Sequence, residues 1–281
     1  MKKKISLLLV VVMLSSILLA ACKKDGANEQ VDNLLNNGEA EIEGLDKVLH
    51  NKKIILGTSA DYPPFEFHAI VDGKDTIVGF DIEIAKYIAD ELGVELEIKD
   101  MEFDKLLGGL ATGMLDIVIA GMNPDPEREA NFTDIYYEAN LSVLISKDDA
   151  STITEIDDLE GKNIGVQIGT TQESIAQTSI KDADVKSLST NPDIVMNLKT
   201  KKIDCAIMET PVAESFAKVN DDLMIVDNLI IDNESAGVAI ATKKGNDQLT
   251  EKLNEILSKI KSEGLIEKWL IEADEFSNES L

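Results

Sequence analysis

The sequence contains very few of the side chains that enzymes and metalloproteins use at their reactive centres. Its 281 residues include two cysteines and only two histidines, His50 and His68, neither of which is placed for a catalytic pair. It also lacks metal-ligand spacing and a glycine-rich phosphate-binding loop. The sequence therefore predicts no catalytic residue, no metal site and no cofactor.

Basic residues are also scarce. Lysine and arginine together number 27 against 53 acidic residues, which gives a formal net charge of −26 at pH 7. A surface with this excess repels nucleic acid, so no nucleic-acid partner is expected. The excess mainly describes a solvated surface that keeps the protein soluble, and it is not in itself evidence for a cationic ligand.

One uncharged apolar run stands at the N-terminus, at residues 5–21, directly after Lys2, Lys3 and Lys4. This run is too short and too close to the N-terminus for a permanent membrane span. Residues 1–21 are therefore predicted to be a secretory signal peptide.

The end of this run, Leu19-Ala20-Ala21-Cys22, resembles a bacterial lipobox. The resemblance implies that Cys22 is the lipidated first residue of the mature protein, held at the outer face of a membrane by its acyl chains. The alternative is a soluble secreted protein with a cysteine near its cleavage site. Cys205 has no partner for an internal disulfide and is predicted to be a small buried side chain.

Residues 22–51 are predicted to form a lipidated flexible tether, because 23–47 are rich in polar and acidic residues and poor in large apolar ones. A short helix can follow from Val48. The folded part is expected to start near Lys52 and to end before a C-terminal tail at 276–281.

From residue 54 onward, apolar runs alternate with helical patterns, which predicts an α/β fold with mostly parallel sheets. In the first half, strands are predicted at 54–56, 94–98 and 117–120, and helices at 80–92 and 103–112. In the second half, strands are predicted at 141–145, 164–167, 185–188 and 205–208, and helices after 169–173 and at 193–200 and 210–219. A late strand at 237–241 precedes a long amphipathic helix and a short one at 265–270. Ligands bind beyond the carboxyl ends of such strands, where Gly57, Gly121, Gly169 and Glu209 all fall.

The stretch 120–128 combines three groups that suit a small zwitterion. Gly121 allows close approach to the backbone, Asn123 offers a donor and an acceptor, and Arg128 offers a fork that matches a carboxylate. Two prolines between them stiffen the turn. The alternative is an ordinary loop whose arginine forms a surface ion pair.

Several motifs in order carry a resemblance to a known family. The segments 57–67 (GTSADYPPFEF), 79–85 (GFDIEIA), 103–128 and 132–137 (FTDIYY) closely resemble the polar amino-acid-binding lipoproteins of ABC importers, and the likeness covers about 52–270. The resemblance implies the two-lobed type II fold of periplasmic binding proteins, with hinge crossings near Asn140 and Ala236. Lobe 1 would then comprise 52–140 and 236–275, and lobe 2 would comprise 141–235.

The resemblance also implies roles for individual residues. Arg128 would bind the α-carboxylate of the ligand, helped by the amides of Asn123 and Thr171, with Gly169 and Thr170 at the same helix start. Glu209 and the Gly121 carbonyl would accept from the ligand ammonium, while Tyr62 and Phe103 would flank its side chain. The sequence departs from the family pattern at three positions: Asn123 replaces Thr or Ser, Asp125 replaces Thr, and Glu209 replaces Asp.

Other roles remain open for some of these residues, and the ligand is not determined. Tyr62 and Phe103 can be core aromatics, and Glu209 can cap the helix that follows it. Three further acids, Asp61, Glu66 and Glu102, suggest lysine or arginine as the ligand, but two of these positions are commonly acidic in the family. Ser59 argues against a cationic ligand, because basic-amino-acid binders often have Asp there. A polar or basic amino acid is expected.

The resemblance thus implies a monomeric, extracytoplasmic substrate-binding lipoprotein, anchored to the cell membrane through Cys22, that delivers a free amino acid to ABC permease subunits. Two other functional classes remain open for a protein with this fold. One is a dehydratase-like enzyme, in which a carboxylate such as Glu209 acts as a general acid. The other is a ligand sensor.

Overall fold

The structure is a computed structural model of the chain, and it describes residues 42–231 and 237–280. The predicted signal peptide, Cys22, the tether up to residue 41, the hinge near Ala236 and residue 281 lie outside the described residues. In the described part, no helix is long and apolar enough to cross a membrane.

The first five-stranded sheet is built from β1, β5, β6, β7 and β13, in the order β5-β1-β6-β13-β7. Strand β1 runs parallel to its neighbours β5 and β6, while β13 is antiparallel to β6 and β7. A separate antiparallel sheet, β2-β3-β4, projects from the loop after β1. These strands are β1 (Lys53–Thr58), β2 (Asp61–Tyr62), β3 (Glu66–Val71), β4 (Lys74–Val78), β5 (Glu95–Asp100), β6 (Ile117–Val118), β7 (Ala130–Phe132) and β13 (Ala241–Lys243).

The second five-stranded sheet has the order β10-β9-β11-β8-β12, with β9 parallel to β10 and β11, and β8 antiparallel to β11 and β12. We call the first sheet, the β2-β3-β4 sheet and their helices lobe 1, and the second sheet with its helices lobe 2. The strands of lobe 2 are β8 (Leu141–Ser146), β9 (Asn163–Gln167), β10 (Asp184–Leu188), β11 (Cys205–Glu209) and β12 (Leu223–Ile231).

The helices begin and end where local chemistry permits. Gly79, at φ +126°, precedes α2 because a Cβ there would lie 2.1 Å from the Phe65 carbonyl oxygen, and Gly93 ends the helix in the left-handed region. Thr170 and Thr190 cap α4 and α5 with their hydroxyls. The helices are α1 (Gly44–Asn51), α2 (Phe80–Leu92), α3 (Leu106–Ala111), α4 (Thr171–Ser179), α5 (Asn191–Lys199), α6 (Thr210–Val219), α7 (Asp247–Ser262) and α8 (Leu265–Ser280).

The α/β class and the two-lobed architecture confirm the prediction. The apolar face of α7 is also confirmed, since its five predicted core residues are at most 1% exposed, and Cys205 is buried as expected. The five are Leu249, Leu253, Ile256, Leu257 and Ile260.

The described helices extend beyond both predicted ends of the folded part. Helix α1 lies inside the range predicted as tether, because Val48 is fully buried and Lys47 pairs with Asp116. At the other end, α8 continues to Ser280 through the predicted tail, since the Phe276 ring packs 6.4 Å from that of Phe67.

Several predicted elements also have different bounds. The helix predicted at 103–112 is a 3₁₀ turn at Phe103–Lys105 followed by the short α3. The late strand predicted at 237–241 is β13 at Ala241–Lys243, preceded by an isolated bridge between Val238 and Tyr137. The hairpin of β3 and β4 was not predicted.

Candidate functional site

The carboxyl ends of the parallel strands of both lobes meet at one narrow cavity. It is lined from lobe 1 by Ser59, Tyr62, Glu66, Phe103, Ala120, Gly121 and Asn123, and from lobe 2 by Gln167, Thr170, Gln172 and Glu209. This position is the one expected of ligand sites in open α/β sheets.

Gly121 leaves room for the Tyr62 ring on the lobe 1 side of the cavity. Its φ of +53° lies in the left-handed region, and a Cβ there would approach the Tyr62 ring to 3.0 Å. Its N–H donates to Asp81 Oδ2 at 2.9 Å, and this hydrogen bond fixes the turn after β6. The tyrosine ring can therefore lie directly over a bare backbone.

The lobe 2 wall is the start of α4. Thr170 accepts from the Glu173 N–H at 3.2 Å and donates to the Gln167 carbonyl at 2.7 Å, so the turn before the helix is fixed. The first N–H groups of a helix have no partner within it, and its dipole favours an anion there. Thr171 donates its hydroxyl across the cavity to Asn123 Oδ1 at 2.8 Å.

Glu209 is an acid enclosed at the end of β11, with 1% exposure. Its Oε2 accepts from the Tyr62 hydroxyl of lobe 1 and from Gln172 Nε2 at 2.6 Å, whereas its Oε1 accepts no hydrogen bond from the part of the chain that the structure describes. Burial raises the pKa of this carboxyl to about 8. Its side chain makes no capping bond to α6, which removes the capping alternative.

Arg128 lies at the edge of the cavity. Its guanidinium carbon stands 5.6 Å from the centre of the Phe103 ring, and its Nη2 donates to the Gly169 carbonyl of lobe 2 at 3.0 Å. No carboxylate of the described residues pairs with it within 4.0 Å, so the surface ion-pair alternative does not hold. Burial lowers its pKa, and Asp125 partly opposes that effect.

Glu66 is the second acid of the cavity, with 1% exposure. Neither of its carboxyl oxygens accepts a hydrogen bond from a donor of the described residues. Burial raises its pKa well above the usual value, and the neighbouring carboxyl of Asp81 raises it further. Asp81 in turn accepts from the Tyr136 hydroxyl, at 2.8 Å to Oδ1 and 2.9 Å to Oδ2. A second buried acid, Asp81, therefore lies next to Glu66.

The three acids that suggested a basic ligand have different environments. Glu66 lines the cavity, whereas Glu102 is exposed and stands 3.9 Å from Lys105 Nζ. Asp61 does not line the cavity and accepts from Asn191.

Seven of the nine predicted site residues line the cavity, and the other two contact lining residues. Thr171 bonds to Asn123, and Arg128 stacks on Phe103. Their roles in binding stay predictions. The lining residues are Ser59, Tyr62, Phe103, Gly121, Asn123, Thr170 and Glu209.

Gln167, Gln172 and Ala120 line the cavity but were not predicted as site residues, and Glu66 was not assigned a role. Two signals could have found the glutamines: Gln167 ends a predicted strand, and Gln172 follows Thr171 at the predicted helix start. Arg128, which was predicted, is also the only arginine in the sequence. Of the residues described, no group of three His, Cys, Asp or Glu is placed to hold a metal ion.

Comparison with known proteins gives consistent matches over the folded part. The model of the family described as bacterial extracellular solute-binding proteins, family 3, matches residues 54–272. The arginine-binding extracellular protein ArtP of Bacillus subtilis strain 168 is 41% identical over 224 residues, which cover 77% of this chain and 84% of ArtP.

Two solved structures are similar to this chain over most of its length. One is the amino acid ABC transporter substrate-binding protein AbpA of Streptococcus pneumoniae Canada MDR_19A bound to L-arginine, with a TM-score of 0.79 at 35% identity, covering 82% of this chain and 98% of AbpA. The other is the ancestral amino acid-binding protein AncCDT-1, described as a precursor of cyclohexadienyl dehydratase, with a TM-score of 0.72 at 32% identity, covering 80% and 99%.

Proposed function

The chain belongs to the bacterial extracellular solute-binding proteins of family 3, and from this premise we propose that it captures free L-arginine between its lobes for an ABC importer. The family membership supports an amino-acid ligand. The names of ArtP and of the arginine-bound AbpA support arginine among the basic amino acids.

The observation that carries the proposal is the presence in one cavity of two buried carboxyl groups, Glu66 and Glu209, with oxygens that accept no hydrogen bond from the described residues. A buried carboxyl stays protonated unless a cation pairs with it, as the raised pKa values of both groups indicate, so a cationic ligand is the partner that would ionise them. Arginine supplies two cations, its ammonium and its guanidinium, and a neutral amino acid supplies one. Ser59 therefore does not exclude a basic ligand, because the acid is provided by Glu66.

In this proposal the ligand spans the cavity from Arg128 to Glu66. Arg128 turns its fork to the α-carboxylate, and the free N–H groups at the start of α4, beside Thr171, point to the same anion. Glu209 accepts from the ammonium together with the Gly121 carbonyl. Tyr62 and Phe103 then flank the aliphatic part of the ligand, with Asn123, Thr170 and Ser59 as further polar contacts.

Transport follows from closure of the two lobes. A ligand that contacts both lobes binds the closed form better than the open form, and so it shifts the population to the closed form. We expect the closed form to dock on the ABC permease subunits. We place the lobe boundaries at 52–140 with 236–275 and at 141–235, as the sequence indicates, with α1 and the end of α8 added to lobe 1.

The location is proposed from the N-terminal sequence and the family. Lipidated Cys22 would anchor a monomer to the extracytoplasmic face of the cell membrane. Cells expressing the full chain should hold it in the membrane fraction, and Cys22→Ala should release it into the soluble extracytoplasmic fraction. Equal membrane retention of the two forms would contradict the anchor.

A binding screen tests the function directly. The purified protein is unfolded and refolded to remove bound ligand, and its melting temperature is measured with each of the twenty amino acids and with ornithine and citrulline. Ligands that bind only the native state raise the melting temperature by mass action. We expect the largest rise with L-arginine. If none of the amino acids raises the melting temperature, the proposal is refuted.

The enzyme alternative receives one specific support, the likeness to AncCDT-1, which is itself described as an amino acid-binding protein. Mass spectrometry of the protein incubated with L-arginine separates the two classes. Recovery of unchanged arginine supports binding, whereas a dehydrated or deaminated product supports an enzyme.

A further inference from the structure

Asp61 and Asn191 form one of the hydrogen-bonded pairs that join the lobes outside the cavity. Asp61, in β2 of lobe 1, accepts from the backbone N–H of Asn191 at 2.9 Å and from its Nδ2 at 3.2 Å. Asn191 is the first residue of α5 in lobe 2, and neither residue lines the cavity. This contact therefore links the lobes without touching the space proposed for the ligand.

Both partners are held rigidly within their own lobes. The N–H of Asp61 donates to the Ser59 carbonyl at 2.8 Å, and β2 pairs with β3. Asn191 is 1% exposed, and its Nδ2 also donates at 3.1 Å to Gln167 Oε1, which belongs to the cavity wall. The pair therefore needs no rearrangement of either lobe to form when the lobes meet.

The chemistry of the pair is favourable only in the closed form. A carboxylate at a helix start meets N–H groups that lack partners and the positive end of the dipole. When the lobes separate, water replaces each partner, so the contact favours the closed form whatever the cavity holds. The fraction of molecules in the binding-competent form sets the observed affinity of every ligand.

We infer that Asp61 and Asn191 form an interlobe latch, in which Asp61 is a positioning residue that sets the affinity for all ligands equally and does not select among them. The latch rests on the proposed function in one respect, since it takes the closed form to be the one that holds the amino acid. It differs from the cavity acids Glu66 and Glu209, which meet the ligand itself.

The test compares Asp61→Ala with Asp90→Ala, a matched control that removes an exposed aspartate on α2 of the same lobe. The dissociation constants of L-arginine, L-ornithine and L-citrulline are measured by calorimetry and their release rates by stopped flow. For Asp61→Ala we expect about tenfold weaker binding of all three, with faster release and nearly unchanged association. The control should match the wild type.

A second measurement needs no ligand. Small-angle X-ray scattering of the ligand-free protein should show a larger radius of gyration in Asp61→Ala than in the wild type, and saturating arginine should remove the difference. Asn191→Asp gives an independent variant that places two carboxylates face to face, and it should weaken all three ligands further. Melting temperatures of the ligand-free variants establish that both are folded.

The outcomes separate the latch from its competitors. Loss of arginine and ornithine with citrulline spared would mean that Asp61 contacts the ligand cation, and it would overturn the latch, as would unchanged affinity in both variants. If the wild type bound no amino acid, the proposed function would fail. The scattering comparison would then still decide the latch.

Discussion

The Tyr62 hydroxyl of lobe 1 donates to Oε2 of the Glu209 carboxyl in lobe 2, and the Glu209 backbone N–H donates back to the same hydroxyl oxygen at 3.2 Å. One phenol thus links two lobes and holds the acid proposed to receive the ligand ammonium. The aromatic body of Tyr62 and its hydroxyl have separate roles, and a single substitution separates them.

Tyr62→Phe keeps the ring in the cavity and removes the donor to Glu209. Because hydrogen bonds to charged groups are worth more than neutral ones, we expect about tenfold weaker arginine binding with the fold intact. Calorimetry checks this, with Tyr87→Phe as the control, since Tyr87 meets Glu263 on the surface. Equal losses in the two variants would contradict the link.

Arg128→Ala removes the group proposed to bind the ligand carboxylate, and we expect arginine affinity to fall at least about a hundredfold. The melting temperature of the ligand-free protein should change little, because Arg128 is partly exposed and has no acidic partner within 4.0 Å among the described residues. Arg128→Lys keeps the charge and loses the fork, so it should restore only part of the affinity. Undiminished binding by Arg128→Ala would refute its assignment.

Glu66→Gln tests which acid meets the ligand side chain. The substitution preserves shape and removes the charge, so the preference for L-arginine over L-citrulline should fall by about tenfold or more. Competition experiments with the two ligands measure the ratio. Glu102→Gln serves as the matched control because Glu102 is exposed, and an unchanged ratio in Glu66→Gln would place the guanidinium elsewhere.

Ligand binding should depend on pH because both cavity acids have raised pKa values, Glu209 to about 8. Below pH 8 the ligand must displace a proton from Glu209, so affinity should rise from pH 5.5 to pH 8 by up to about one log unit per pH unit for each acid that ionises. The slope should be steeper for arginine than for citrulline, since only arginine requires ionised Glu66. Calorimetry in buffers of different ionisation heat counts the released protons, and a flat profile would exclude this linkage.

The ligand-free protein should show the opposite trend in stability. Burial raises the pKa values of Glu209 to about 8 and of Asp61 and Asp81 to about 6, so between the unfolded and folded pKa values the folded state binds more protons. The free energy of unfolding should then fall as pH rises through this window, by up to about 1.4 kcal/mol per pH unit for each such group. Urea unfolding at pH 5.5 and pH 8 measures the fall, and Glu209→Gln should reduce it. A free energy of unfolding that rises over this range would contradict the prediction.

The α/β class could be predicted from local signals that are readable along the chain, such as apolar periodicity and the glycine at the start of α2. The two-lobed architecture and most of the cavity residues were implied by the resemblance of several motifs in order. The local signals placed Gly57, Gly121, Gly169 and Glu209 at strand ends, where the carboxyl edges of parallel strands converge.

Which acids face the cavity depends on contacts between residues that are distant in the sequence. Asp61, Glu66 and Glu102 lie within 42 positions of one another in the sequence and look equivalent there, yet one faces the other lobe, one faces the cavity and one faces solvent. Burial and pairing depend on neighbours that are distant in sequence, such as Asn191 for Asp61 and Asp81 for Glu66. The ends of α1 and α8 were missed for the same reason, because contacts between distant residues stabilise both helices where local propensity is weak.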